Sequence, residues 1–105
     1  MGIITATRGN HGQSIGFAAR WAGLKATVVV PEGNSREKNA ALSALGVRLL
    51  VHGQEFDEAR EFADATAAEE GRYFVPACDP RLVRGVARYA LELFSAVHDL
   101  DAVYV

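Results

Sequence analysis

A single cysteine, Cys78, leaves this chain no intrachain disulfide, which fits a reducing cytosol. No apolar run approaches the ~20 residues that span a bilayer. No basic stretch followed by an apolar one marks a cleaved secretory leader, so the expectation is a cytoplasmic protein with no membrane partner. The formal charge is −2, which argues against a general nucleic-acid binder. Repeats, low-complexity tracts and linkers are also missing. What is present is 105 residues, 50% of them hydrophobic, enough for one domain with its own core.

Short apolar runs rich in β-branched or aromatic residues recur at 3–6, 26–30, 47–51 and 73–75. Each is short and mostly apolar, as expected of parallel strands covered on both faces. Helical stretches fall between them: 11–22 before Gly23, 35–45 before Gly46 and 55–70 before Gly71, each glycine acting as a stop. Asn34, with Glu37 three residues on, reads as an N-cap with a capping-box partner. Asp79-Pro80 supplies a cap and a first-turn proline for a last helix over 81–97, and 101–105 reads as a final short strand. The pattern predicts a three-layer α/β fold. A parallel four-stranded sheet in order 4-1-2-3 carries helices on both faces, followed by a C-terminal helix and short strand.

Residues 5–14, Thr-Ala-Thr-Arg-Gly-Asn-His-Gly-Gln-Ser, hold the chemistry. They lie between a strand and an amphipathic helix, and Gly9 and Gly12 let the backbone bend and approach a ligand closely. Amide groups at the opening of a helix favour an anion such as a carboxylate or phosphate. The side chains of Thr7, Asn10 and Gln13 can add hydrogen bonds to an oriented polar molecule.

Other candidates have plainer readings. His11 suits loop shaping better than acid–base work, with no carboxylate near it in sequence. His52 and His98 are surface residues without metal-like spacing, and Cys78 is a half-buried filler. Lys25 and Lys38 are solvated. Glu55, Asp57, Glu58, Glu61 and Asp64 make a solvated helix start. Arg81, Arg84 and Arg88 form a charged stripe. Phe17 and Trp21, four apart, are expected in the core.

The 5–14 segment resembles the Ser/Thr-x-Gly-Asn-His-x-Gln loop of fold-type II pyridoxal-phosphate enzymes, the threonine dehydratase and serine racemase group. The likeness continues through Ala-Thr-Val-Val-Val-Pro at 26–31, Ala-Leu-Gly-Val-Arg-Leu-Leu-Val-His-Gly at 44–53, Phe-Asp-Glu-Ala at 56–59 and Phe-Val-Pro at 74–76. It ends in Leu-Asp-Ala-Val-Tyr-Val at 100–105, covering essentially the whole chain, and threonine dehydratase is the most similar member. The resemblance implies a single domain, 1–105, like the small domain of those enzymes, with 80–105 returning to their large domain. It implies that Thr7, Gly9, Asn10, His11 and Gly12 clamp the carboxylate of threonine or serine, and that Asn10 also faces the cofactor.

The family's cofactor lysine and glycine-rich phosphate loop fall outside the matched segment. Pyridoxal phosphate is therefore expected in the full-length relative and not on this chain alone, which would be catalytically silent. Two departures stand out. Arg8 occupies the place of a serine in serine racemases, which favours elimination over racemisation. Residues 85–88, Gly-Val-Ala-Arg, replace the Gly-Gln-Gly-Thr of relatives. The alternative is a free-standing α/β binding or self-assembling module without enzyme activity. In either case the broad apolar stripe of Leu82, Val83, Val86, Tyr89, Ala90, Leu93 and Phe94 predicts a homo-oligomer.

Overall fold

Five successive residues, Ala26 to Val30, are buried, which only a strand covered on both faces allows. They belong to β2 (Lys25–Val30), flanked by β1 (Gly2–Ala6) and β3 (Arg48–Val51), with β4 (Tyr73–Phe74) beyond β1. This is a computed structural model, and it describes residues 1–104. The strand order is β3-β2-β1-β4 and every pairing is parallel, the 4-1-2-3 order expected from the sequence.

Register sorts the side chains by face. Ile4 pairs with both Thr27 and Phe74, and Ala6 pairs with Val29. Ile4, Ala6 and Val29 pack on α3 (Phe56–Glu70) through the small residues Ala59, Ala63 and Ala67. Val28 and Val30 point the other way and pack on Leu42 of α2 (Arg36–Ala44). Beside α2 lies α1 (Asn10–Trp21), which also covers β2. Helices therefore cover both faces of the sheet.

The way α1 sits reverses one expectation. Its buried residues are Gly12, Ile15, Gly16 and Ala19, an i, i+3, i+4, i+7 stripe made mostly of small residues. A Cβ on Gly16 would stand 2.8 Å from Val47 Cγ1, so this face approaches its neighbours too closely for a larger side chain. Phe17 and Trp21 fall on the opposite side and are 66% and 89% exposed, not in the core.

Smaller differences have local causes. The cap of α2 is Ser35, whose Oγ accepts from Lys38 N at 3.4 Å. Asn34, one residue earlier, instead donates to Asn39 Oδ1 at 2.7 Å. Gly71 ends α3 in the left-handed conformation, φ 61°, as a C-cap glycine should. Asp79 caps the next helix, accepting from Arg81 N and from the Arg81 guanidinium, which holds its carboxyl down at about 2. Cys78 beside it is exposed rather than half-buried.

The single helix expected over 81–97 is two, α4 (Pro80–Val86) and α5 (Arg88–Ala96), meeting at Ala87. Residues 101–104 form no strand, so the expected C-terminal strand is absent there; Val105, its last residue, lies outside the described residues. No residue of α4 or α5 is buried. They project as an arm, and the chain measures 50 × 29 × 24 Å.

Core and surface should respond differently to truncation. Leu42 is fully buried, so Leu42→Ala is expected to cost about 2–5 kcal/mol in urea unfolding. Trp21→Ala should change stability by no more than about 0.5 kcal/mol, as exposed positions do. Equal losses at the two sites would place the core elsewhere.

Candidate functional site

In a parallel sheet with helical crossovers, the loops that leave the carboxyl ends of the strands share one edge, where ligands collect. The β1–α1 loop, residues 7–9, lies there. Thr7 N donates to Val29 O at 2.9 Å, continuing the pairing with β2 past the end of β1. The Thr7 side chain is almost fully buried, and its Oγ1 accepts from Gly9 N at 3.0 Å and from Gly12 N at 3.1 Å. One hydroxyl thus holds both glycines of the motif. Gly12 has no room for a side chain: a Cβ would overlap Thr7 Cγ2 and stand 3.1 Å from Val28 Cγ1.

With Gly9 and Gly12 satisfied internally, the donors left at the helix opening are the Asn10 and His11 N–H groups. Neither has a hydrogen-bond partner among the described residues. The first-turn N–H groups of a helix carry partial positive charge, so this pair is aimed at an anion. No acidic residue occupies the first turn of α1 to compete. Asn10 is exposed, and Gln13 is half-buried one turn on.

His11 is tied inward. Its Nε2 lies 2.9 Å from Thr5 Oγ1, and that hydroxyl donates to Val75 O at 2.7 Å. With its proton committed to Val75, Thr5 accepts from the imidazole, which fixes the Nε2–H tautomer. Burial lowers the His11 pKa below its ordinary value, partly offset by the Val75 carbonyl. The neutral ring therefore joins β1, α1 and the segment after β4. Thr5 went unremarked in the sequence; its one signal is a hydroxyl within an apolar strand.

The two neighbouring cations diverge. Arg8 turns away from the loop, its Nη2 2.8 Å from Glu55 Oε2 at the start of α3. Lys38, on α2, lies against Gly9. Lys25 opens β2 opposite Gly2, at the other end of the sheet. Of the arginine stripe, Arg81 binds Asp79 and the Tyr73 hydroxyl, and Arg88 pairs with Glu92 at 3.0 Å. His52 is exposed and stacks on Phe62 at 4.0 Å. Between α1 and the arm runs a cleft of about 640 Å³, with Asn10, His11 and Ser14 at one side and Leu82, Val86 and Tyr89 at the other.

In sequence and in fold the chain is similar to known proteins. Residues 1–105 match the family described as pyridoxal-phosphate dependent enzyme. The chain belongs to that family. It is 37% identical over 105 residues to the biosynthetic L-threonine dehydratase of Haemophilus influenzae, covering 99% of this chain and 20% of that protein. The chain thus spans about a fifth of the length of this and similar curated threonine dehydratases. Among solved structures, a pyridoxal 5'-phosphate-dependent aspartate racemase superposes with TM-score 0.87 at 30% identity, over 95% of this chain and 31% of that one. Processed threonine deaminase isoform 2 from Solanum lycopersicum gives 0.81 at 30%, over 94% and 29%.

The family's cofactor fits these residues in part. The Asn10 carboxamide and the two free N–H groups suit an oxygen anion, whether carboxylate or ring hydroxyl. Among the described residues, covalent attachment finds no lysine in the cleft: Lys25 is at the far edge, and Lys38 is not among the residues that line it.

The burial of His11 gives a pH dependence with a definite sign. Its folded pKa is depressed, so the unfolded chain binds the proton more readily. The stability contributed by neutral His11 is complete above its ordinary value near 6.5 and is lost as pH falls through the lower folded value. The unfolding midpoint should therefore drop between pH 7.5 and pH 5, and His11→Gln should flatten that drop. An imidazole resonance titrating at or above 6.5 would contradict it.

Proposed function

We propose that this chain is the carboxylate-binding portion of a pyridoxal-phosphate-dependent ammonia-lyase acting on threonine or serine, and that by itself it is catalytically silent. One observation carries this: Thr7 uses its hydroxyl to shape the loop, leaving the Asn10 and His11 N–H groups free at the mouth of a cleft. The 37% identity to a biosynthetic threonine dehydratase supports the choice of reaction. In this reading Thr7, Gly9 and Gly12 set the shape. The N–H groups of Asn10 and His11, with the Asn10 carboxamide, hold the carboxylate, and that grip orients the α C–H. Asn10 would also help hold the cofactor, by a hydrogen bond to its ring hydroxyl. Pyridoxal phosphate, when bound in the complete enzyme, supplies the electron sink that lets the α-proton leave. The net change converts threonine to 2-oxobutanoate and ammonia.

Arg8 favours elimination over racemisation: tied to Glu55, it offers the substrate no hydroxyl for returning a proton. Residues 1–79 form the sheet body, and 80–105 are the element that returns to the rest of such an enzyme. The setting is cytoplasmic, in keeping with the exposed, unpaired Cys78. Among the described residues no helix is long and apolar enough to cross a membrane.

The test is a graft. Residues 1–105 replacing the matched segment of the Haemophilus influenzae enzyme should retain 2-oxobutanoate formation from L-threonine. Asn10→Ala in that chimera should lower kcat/KM about 10- to 100-fold, the worth of a hydrogen bond to a charged group. The ungrafted chain with added pyridoxal phosphate should form no product above a heat-killed control. A folded, cofactor-loaded chimera without activity would overturn the reading.

A second reading, a module that pairs with itself, is favoured by the arm. Val86, Tyr89 and Phe94 each expose more than half their surface, a patch that twofold pairing would cover. Sedimentation equilibrium should then find a dimer or larger species, and Leu93→Glu with Phe94→Glu should give a monomer or an insoluble chain. A well-folded monomer of the unaltered chain at high concentration would refute self-association.

A further inference from the structure

We propose that Lys38 supplies the cation of the carboxylate site, and that residue 9 is glycine so that the Lys38 side chain can lie across it. The proposal rests on the reading of the β1–α1 loop as a holder of an amino-acid carboxylate. Gly9 has φ −172°, extended backbone that any residue adopts, so its φ does not call for glycine. The surroundings do. A Cβ at position 9 would stand 2.8 Å from Lys38 Nζ, 3.4 Å from Cδ and 3.5 Å from Cε. The lysine stem therefore runs over the bare Cα and sets the ammonium against Gly9, the residue before Asn10, whose N–H is one of the two free donors.

Charge balance points the same way. The other cation next to Gly9, Arg8, is neutralised by Glu55 at 2.8 Å. Among the described residues Lys38 has no carboxylate within ion-pair distance. An uncompensated ammonium beside the positive end of α1 is unfavourable until an anion arrives to offset both. The Ser35 cap fixes the first turn of α2, so the stem leaves from a set position. Lys38 is a positioning residue for the carboxylate, with no covalent part in the reaction.

The experiment is an amide chemical-shift titration of the 105-residue chain with L-threonine, using threoninol as the carboxylate-free control. The Asn10 and His11 amides should move with L-threonine and stay in place with threoninol. Lys38→Gln should weaken L-threonine about two- to five-fold, the range of a partly exposed ion pair, and Lys38→Arg should restore it. The difference between wild type and Lys38→Gln should shrink steeply in about 1 M salt, where the screening length is ~3 Å. Gly9→Ala, which displaces the ammonium, should weaken binding in wild type and add little on top of Lys38→Gln. A purely structural role would move the unfolding midpoint and show neither salt dependence nor arginine rescue. If the amides move and Lys38→Gln binds as wild type does, the role of Lys38 falls while the carboxylate reading stands. If the wild-type amides do not respond to L-threonine, both fall together.

Discussion

Thr7 leaves β1 with its own N–H bonded to Val29 and, through one buried hydroxyl, takes the N–H groups of Gly9 and Gly12. Strand end, turn and first helical turn are thereby fixed to one another. The arrangement demands a close approach, because Thr7 Cγ2 and the Gly12 Cα share a space with no room for a Cβ. Much else follows from that distance. It draws α1 onto the sheet by its small residues and turns Phe17 and Trp21 outward. It also consumes the two glycine amides, so the donors left open at the start of α1 are those of Asn10 and His11.

The loop is held from a second direction by His11, which reaches through Thr5 to Val75 at the end of the short edge strand. A neutral imidazole suits that place because the ring is partly desolvated and both polar partners are uncharged. The segment carrying the arm departs one residue later, at Pro76. Loop and arm are thus anchored to the same three groups, and the cleft between them has one polar and one apolar side.

The architecture was legible because its signals are local. Continuous apolar runs mark buried parallel strands, and Gly23, Gly46 and Gly71 do adopt positive φ after their helices. The turn between β1 and α1 was legible for the same reason, since two glycines around Asn-His before a helix mark a sharp strand-to-helix loop. What escaped depends on facts a sequence does not carry. Whether the Thr7 hydroxyl points at a ligand or at its own loop depends on the closeness of α1 to β1. Phe17 and Trp21 look like core by hydrophobicity, yet the tighter stripe of Gly12, Ile15, Gly16 and Ala19 wins because glycine lets the backbones meet. Lys38 reaches Gly9 only because the parallel crossover sets α2 beside α1, and nothing near either residue announces it. The expected strand after residue 100 has no neighbour to pair with among residues 1–104, and an isolated strand does not form.

The arm also alters how the molecule moves through solvent. Its radius of gyration is 15.6 Å, against about 13 Å for a compact chain of this length. A single copy of 11.3 kDa with a long axis of 50 Å drags more water and diffuses more slowly than a sphere of equal mass. A shape of this kind is expected to elute early from a calibrated gel-filtration column, in the volume of a heavier globular standard. Apparent size from such a column therefore overcounts subunits for this fold, and only methods that weigh the particle directly distinguish one elongated chain from two.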